Sequence, residues 1–333
     1  MQQDRDGDRP LRWGVLSTAK ISRALLGSGH GRFLAVASRQ RERAEAFARE
    51  HGLERAHGSY EDLLADPDVD AIYNPLPNSM HADWSIRALE AGKHVLCEKP
   101  MSRRPEDVER AFDVAEREGL VLAEAFMWRH HPQLERAREL IEQGEIGTLR
   151  LVRAAFSFVE TDPDDIRMQG DLDGGGLMDV GCYCVSGVRA LAGEPQRVQA
   201  EQVVGGNGVD VALVGTLRFA GDVLGTIDCG LSFAAHDELE AIGDGGALFL
   251  DDPWHGREAV IEVRRPDGTT ERVEVGPANS YALELADFEG AVRGERPPLL
   301  GRDDAVAQAR TIAALYRSAE EGRAVEPAAT PAS

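Results

Sequence analysis

Two regions hold the side chains best able to do chemistry on a small ligand. The first comprises Asn74-Pro75-Leu76-Pro77-Asn78-Ser79-Met80-His81 and, further on, Glu98-Lys99-Pro100, which together offer amides, an imidazole, a carboxylate and an ammonium. The second is Gly174-Gly175-Gly176-Leu177-Met178-Asp179-Val180-Gly181-Cys182-Tyr183, whose carboxylate and phenol stand four residues apart. That spacing puts both on one face if the segment is helical. Each group also has an ordinary role: a tyrosine on an amphipathic helix is usually core, and a lysine before proline is usually a solvated loop residue. Metal chemistry is not expected. Asp162, Asp164, Asp165, Asp171 and Asp173 form an acidic loop without histidine or ordered ligand spacing, which reads as a solvated, mobile segment. Cys97, Cys182, Cys184 and Cys229 form no C-x-x-C pair.

A further stretch suits an anionic cofactor. After Gly14 the sequence continues Ser17-Thr18-Ala19-Lys20-Ile21-Ser22, at a point where a strand runs straight into a helix. Backbone N–H groups and the helix dipole favour a pyrophosphate there. Small residues, not glycines, fill the places of the usual G-x-G-x-x-G, so close approach is allowed but positive φ is restricted. The end of the second strand reads Ala37-Ser38-Arg39, with Arg41 and Arg43 close behind and no acid before Glu42. A carboxylate at this point would hold the ribose diol of NAD, whereas a hydroxyl and guanidinium groups suit the 2′-phosphate of NADP. NADP is therefore expected, with NAD as the alternative.

The elements that must position these groups follow from the hydrophobic pattern. Strands are expected at 11–16, 33–38, 69–74, 94–97 and 120–124. Helices are expected from Ser17 to about Leu26, at 40–51, at 59–65 after a Ser59 cap, at 79–91, and from Pro105 to Glu118. Alternation with short links argues a doubly wound parallel sheet with ligands at the carboxyl ends of its strands. After residue 125 the rhythm changes. Strand-like stretches at 149–158, 197–204, 210–219, 222–232, 238–243, 246–251, 259–264 and 271–275 are separated by Gly, Asn and Asp turns, which argues an antiparallel sheet. Helices are expected at 176–192, 280–293 and 303–321. The fold class is thus an α/β Rossmann doubly wound parallel sheet plus a C-terminal α+β domain with a large, mainly antiparallel open-faced sheet. The expected division is 1–125 for the cofactor, 126–325 for substrate, catalysis and oligomerisation, and a disordered tail at 326–333.

Bulk properties narrow the function classes. The 333 residues suffice for two domains, and no apolar run approaches the length of a membrane span. The polar start MQQDRDGDRP is no secretory signal, so a cytoplasmic protein is expected. A net charge of −21 disfavours nucleic acid and anionic membranes as partners. Acid-rich composition with only three lysines, Lys20, Lys93 and Lys99, suits a halophilic setting, where salt screens self-repulsion.

Taken together, GVLSTAKI, AIYNPLPNSMHADWSIRALEAGKHVLCEKPMS, EAFMWRHHPQ and GGGLMDVGCYCV closely resemble the Gfo/Idh/MocA oxidoreductases, over nearly the whole chain. The tyrosine at 183, where most of that family carries histidine, and the G-x-x-x-T-A turn resemble the branch of trans-dihydrodiol dehydrogenase, NADP-dependent D-xylose dehydrogenase and glucose–fructose oxidoreductase. The resemblance implies hydride transfer between NADP(H) and a secondary alcohol or hemiacetal carbon of a sugar, polyol or dihydrodiol, with aldose 1-dehydrogenation expected first. Tyr183 would exchange the hydroxyl proton. Its ordinary pKa near 10 is too high for a base at neutral pH, and Lys99 would lower it by stabilising phenolate while also bonding the substrate oxygen. Asp179 would orient the substrate. Ser17, Thr18, Ala19, Lys20, Ile21, Ser38, Arg39, Arg43, Asn74, Pro75, Leu76, Asn78, His81, Glu98 and Lys99 would line the dinucleotide. Trp128, Arg129 and His131 would border the substrate. The alternatives are keto-sugar reduction and an NADP-binding regulator without turnover. A homodimer or homotetramer through the open sheet face is expected.

Overall fold

The computed structural model describes residues 9–257 and 259–327. Two compact units divide the chain: residues up to 102, 106–127 and 281–305 in one, and 103–105, 128–280 and 306 onwards in the other. The end of the expected tail, from residue 328, lies outside the described residues.

The first unit alternates buried strands with amphipathic helices. In chain order these are β1 (Arg12–Leu16), α1 (Ser22–Leu26), β2 (Arg32–Ala37), α2 (Arg41–His51), β3 (Arg55–His57), α3 (Tyr60–Leu64), β4 (Ala71–Asn74), α4 (His81–Glu90), β5 (His94–Glu98), α5 (Pro105–Glu118, joining the unit from Glu106) and β6 (Leu122–Ala125). All six strands are parallel, in the order β3-β2-β1-β4-β5-β6. That order reverses between β1 and β4, the switch point at which open α/β sheets hold ligands. Local chemistry sets the helix ends. Ser59 caps α3 by accepting from Asp62 N at 3.1 Å. Gly52, at φ 70°, ends α2. Pro105 opens α5 ahead of Glu106 and Asp107, and Val108, Ala111, Phe112 and Ala115 form its buried stripe. The helix expected from Ser17 begins only at Ser22, because Ser17 takes the left-handed value φ 88° and cannot start a helix.

A 3-10 turn at Met127–His130 carries the chain into the second unit, where α6 (Pro132–Glu142) and β7 (Leu149–Val159) follow. Leu177–Gly181 then forms one wide π turn that leads directly into α7 (Cys182–Ala192). The strands β8 (Arg197–Val204), β9 (Asp210–Arg218), β10 (Leu224–Gly230), β11 (Ser232–Gly243), β12 (Ala247–Leu250), β13 (Val260–Arg264) and β14 (Thr270–Glu274) follow. Then come α8 (Ser280–Val292), which packs in the first unit from Tyr281, and α9 (Arg302–Glu321), which enters the second at Val306. The eight-stranded sheet has the order β14-β13-β12-β11-β7-β10-β9-β8. Every pairing is antiparallel except β10 with β7. Strand alternation sends Leu213, Leu217, Ile227, Leu239, Leu248 and Ile261 into the core. Val203, Val214 and Leu224 are exposed on the opposite face, the one expected to meet a second copy. No helix among the described residues is long and apolar enough to cross a membrane.

The start of α7 is packed without slack. A Cβ on Gly181 would sit 2.5 Å from Cys229 Sγ and 2.8 Å from Leu177 Cδ1. Overpacking of this kind costs about 1–3 kcal/mol. Gly181→Ala is therefore expected to lower the unfolding free energy by that amount, read as a lower urea midpoint with the m-value unchanged, and an unaltered midpoint would show that β10 yields at no cost.

Candidate active site

At the carboxyl edge of the first sheet, the β1 turn is shaped by one hydroxyl. Ser17 N donates to Ala37 O at 3.0 Å, and Ser17 Oγ accepts from Ala19 N at 3.3 Å. The hydroxyl thereby helps hold a positive φ that a glycine would take freely. Thr18 and Ala19 are half-buried on this turn, and Lys20 and Ile21 are exposed. Ser22 fills the third small-residue position, fully buried. Beside it, Ser38 is buried at the end of β2 and accepts from Gln40 N. Arg39 lies against the Tyr60 hydroxyl, where its charge opposes the upward push of burial on that phenol. Arg41 is paired with Glu45 at 3.1 Å. Among the described residues no carboxylate pairs with Arg39 or Arg43, and both are exposed. With no acid at this strand end and two guanidinium groups unclaimed by acids, the residues fit a 2′-phosphorylated dinucleotide.

The ends of β4 and β5 form a second, mostly buried wall. Asn74, Pro75 and Leu76 are buried, and Asn78 is half-buried in a 3-10 turn. The Asn74 amide is spent within the fold: Nδ2 donates to His81 O at 3.0 Å and to Ser85 Oγ at 3.1 Å. His81 is fully enclosed, and its Nδ1 donates to the Pro100 carbonyl at 2.9 Å. Burial pushes its pKa down to about 4, with the charge of Lys99 acting in the same direction, so the ring is neutral at pH 7. Half-buried Lys99 stands at the start of a cis Lys99–Pro100 bond, and its N–H donates to Glu98 Oε2 at 3.2 Å. Buried Tyr73 donates to Glu98 Oε1 at 2.5 Å. Glu284 of α8 is also enclosed, and burial together with the Glu98 charge holds its carboxyl far above the usual range.

The second unit carries the phenol and its neighbours. Tyr183 is half-buried, edge-on to Phe156 at 5.4 Å and tilted against Trp254 at 6.0 Å. Trp254 is anchored by its Nε1 donating to Ala155 O at 2.9 Å. Asp179, one wide turn before Tyr183, accepts from Arg167 Nε at 2.7 Å. Trp128 is buried edge-on to Trp254, and Arg129 Nη1 donates to Ser186 Oγ at 3.2 Å. His131 is a helix cap: its Nδ1 accepts from Gln133 N, and its ring packs against Gly256 so closely that a Cβ there would lie 2.7 Å away. Burial lowers its pKa. Asp237, Asp252 and His255 gather three ligand-type groups, with His255 Nδ1 3.3 Å from each carboxylate. Arg257 already forks onto both oxygens of Asp252 at 2.8 and 3.0 Å, so the cluster has its own cation.

Both parts of the chain are similar to known proteins. The oxidoreductase family with an NAD-binding Rossmann fold matches residues 14–126, and the GFO/IDH/MocA C-terminal domain matches residues 134–249. D-xylose 1-dehydrogenase (NADP(+)) 2 of Haloferax volcanii is 39% identical, over 95% of this chain and 99% of that one. The chain belongs to the Gfo/Idh/MocA oxidoreductases. A dTDP-3,4-didehydro-2,6-dideoxy-α-D-glucose 3-reductase of Streptomyces violaceoruber is 38% identical over 96% of both chains. Among solved structures, a 3-ketoreductase from Actinomadura kijaniata in complex with NADP and TDP-benzene superimposes with a TM-score of 0.88 at 32% identity, covering 93% of this chain and 98% of that one.

Reasoning from sequence missed two residues that shape this Gfo/Idh/MocA site. Arg167 stands among aspartates and looks like one solvated charge in an acidic loop. The loop is instead folded into 3-10 turns at Ile166–Met168 and Gly170–Leu172, and Arg167 ties Asp165 to Asp179. Asp210 looks like a strand start, yet its buried carboxylate accepts from Leu177 N and from Tyr316 Oη, both at 2.7 Å. Neither partner is close in sequence, so no local pattern signals them.

The neutral state of His81 is testable. Its folded pKa, about 4, lies below the unfolded 6.5. The unfolded chain therefore binds a proton that the folded chain refuses as pH falls below 6.5. The contribution is complete above 6.5 and is lost toward pH 4, by as much as about 3 kcal/mol. Ring NMR should show His81 unprotonated at both pH 7 and pH 5.5, and a midpoint near 6.5 would contradict its enclosure.

Proposed function

We propose that this enzyme is an NADP-dependent dehydrogenase that oxidises the hemiacetal carbon of an aldose, of the D-xylose or D-glucose kind, to the lactone. The observation that carries the reading is Tyr183, a half-buried phenol walled by Phe156 and Trp254 and following Asp179 by four residues. The likeness to a D-xylose 1-dehydrogenase over nearly the full length of both chains supports it.

Oxidation removes a hydride from the carbinol carbon and a proton from its hydroxyl. Bound NADP+ supplies the hydride acceptor. Tyr183 Oη would take the proton, and the Lys99 ammonium would stabilise the charge that develops on the substrate oxygen. Asp179 accepts from a neighbouring hydroxyl and so orients the sugar. Ser38, Arg39 and Arg43 would hold the 2′-phosphate, the Ser17–Ile21 turn would hold the pyrophosphate, and Asn74–Leu76 and Asn78 would line the nicotinamide side. A second reading, reduction of a keto-sugar by the same residues in reverse, draws on the reductases among the relatives.

A panel of aldoses, inositols, dihydrodiols and keto-sugars, assayed with NADP+ or NADPH in low and molar salt, decides between the readings. Aldose-dependent NADP+ reduction is expected. Lys99→Met and Tyr183→Phe should each lower kcat about 10²–10⁴-fold, the usual range for losing a general acid–base partner, with NADP affinity little changed. Variants that keep turnover would remove these groups from the mechanism, and NADP binding without turnover of any substrate would favour a regulator.

Cofactor choice gives a separate measurement. Charge-assisted bonds contribute about 1.5–3 kcal/mol. Arg39→Ala combined with Arg43→Ala should thus weaken NADP+ at least tenfold while leaving NAD+ unchanged. Equal loss for both cofactors would place these arginines elsewhere.

A further inference from the structure

We propose that Arg167 is the positioning residue of the substrate site: it holds the Asp179 carboxylate in the one orientation that receives a sugar hydroxyl. This rests on the role of Asp179 proposed above.

The geometry is a closed ring of bonds. Arg167 Nε donates to Asp179 Oδ2 at 2.7 Å. The main-chain carbonyl of Arg167 accepts from Gly175 N at 2.8 Å, and the Gly175 carbonyl accepts from Asp179 N at 2.9 Å. Side chain and main chain of one residue therefore grip the backbone eight positions away and the carboxylate twelve positions away. The glycines make this approach feasible. Gly175 takes φ 123°, and a Cβ on Gly174 would collide with the Arg167 carbonyl.

The guanidinium is itself held. Nη1 reaches Asp165 Oδ1 at 3.1 Å and Oδ2 at 3.3 Å, and the group lies 5.9 Å from the Phe158 ring. Asp165 also accepts from Arg167 N at 2.9 Å. Burial opposes the guanidinium charge, but Asp179 and Asp165 outweigh it and raise the pKa. A planar fork with two carboxylates on different edges fixes direction as well as charge. A carboxylate bound through one oxygen by a rigid partner loses its rotation about the Cβ–Cγ bond. Loss of that partner should misdirect Asp179 without touching the cofactor.

The test is a mutant cycle with separate binding and rate readouts. Arg167→Met should raise KM for the aldose at least tenfold, change kcat by less than threefold, and leave NADP affinity unchanged. Arg167→Lys should recover part of the loss, because an ammonium pairs with a carboxylate without the planar fork. In the Asp179→Asn background, Arg167→Met should add less than a twofold further change. Multiplicative effects of the two substitutions would overturn the proposal, as would an unchanged KM or a matching loss of NADP affinity. The cycle uses whichever substrate the unaltered enzyme turns over, so failure of the aldose reading leaves it measurable. Should nothing be turned over, coupling is read from urea midpoints, and additive midpoints would overturn the pairing.

Discussion

The proposed catalytic end of the second unit depends on one buried carboxylate. Asp210 starts β9 and is removed from solvent, yet it carries the first N–H of the turn leading into α7, that of Leu177, and the hydroxyl of Tyr316. Burial alone raises its pKa, and these bonds act in the opposite sense. Hydrogen bonds to a charged acceptor contribute more than neutral ones, and leaving such a group unpaired would cost its full desolvation. The contact therefore fixes where the turn begins. Gly175 and Gly176 let the chain pass close enough to make it. The wide turn and the helix that present Asp179 and Tyr183 follow from that starting point.

In the first unit the governing problem is charge near Lys99. Two carboxyls, Glu98 and Glu284, and two phenols, Tyr73 and Tyr281, feel one another in a largely dry environment. Charging them all is prohibitive. The arrangement keeps Glu98 bonded to the Tyr73 hydroxyl and the Lys99 N–H, and burial holds Glu284 and both phenols toward their neutral forms. His81 follows the same logic. Its Nδ1 is committed to the Pro100 carbonyl and the ring stays uncharged beside an ammonium. The wall is polar in composition but sparing in charge, which leaves Lys99 as its conspicuous cation.

Much of the scaffold was legible because local patterns carried it. The stripe in 105–118 and the alternation in 197–204 each have one solution. β3 was not legible: Arg55-Ala56-His57 is three residues of half-buried strand with no apolar run. Only the latter half of β11 was foreseen, because its beginning, Ser232 to Asp237, mixes Phe233, Ala234 and Ala235 with polar residues in no alternating order and is mostly exposed. The wide turn at Leu177–Gly181 escaped because i→i+5 bonding has no hydrophobic signature. Asp179 and Tyr183 could be named from type and spacing. Arg167 and Asp210 could not, since their meaning lies in partners 12 and 33 positions away.

The three lysines show how the chain divides its cations. Almost every base is arginine, which forks onto carboxylates across the surface, as Arg12 and Arg55 do with Asp66, Asp68 and Asp70. Lys93 is buried, and its Nζ donates to the Asp66 and Val69 carbonyls at 2.8 and 2.7 Å. Lys20 stands on the turn proposed for the pyrophosphate, and Lys99 on the strand end proposed for the chemistry. A compact ammonium suits such places, where a point charge with rotatable donors must meet oxygens from several directions. In a chain that otherwise selects arginine, lysine at position 99 is an argument for function drawn from side-chain shape as well as from charge.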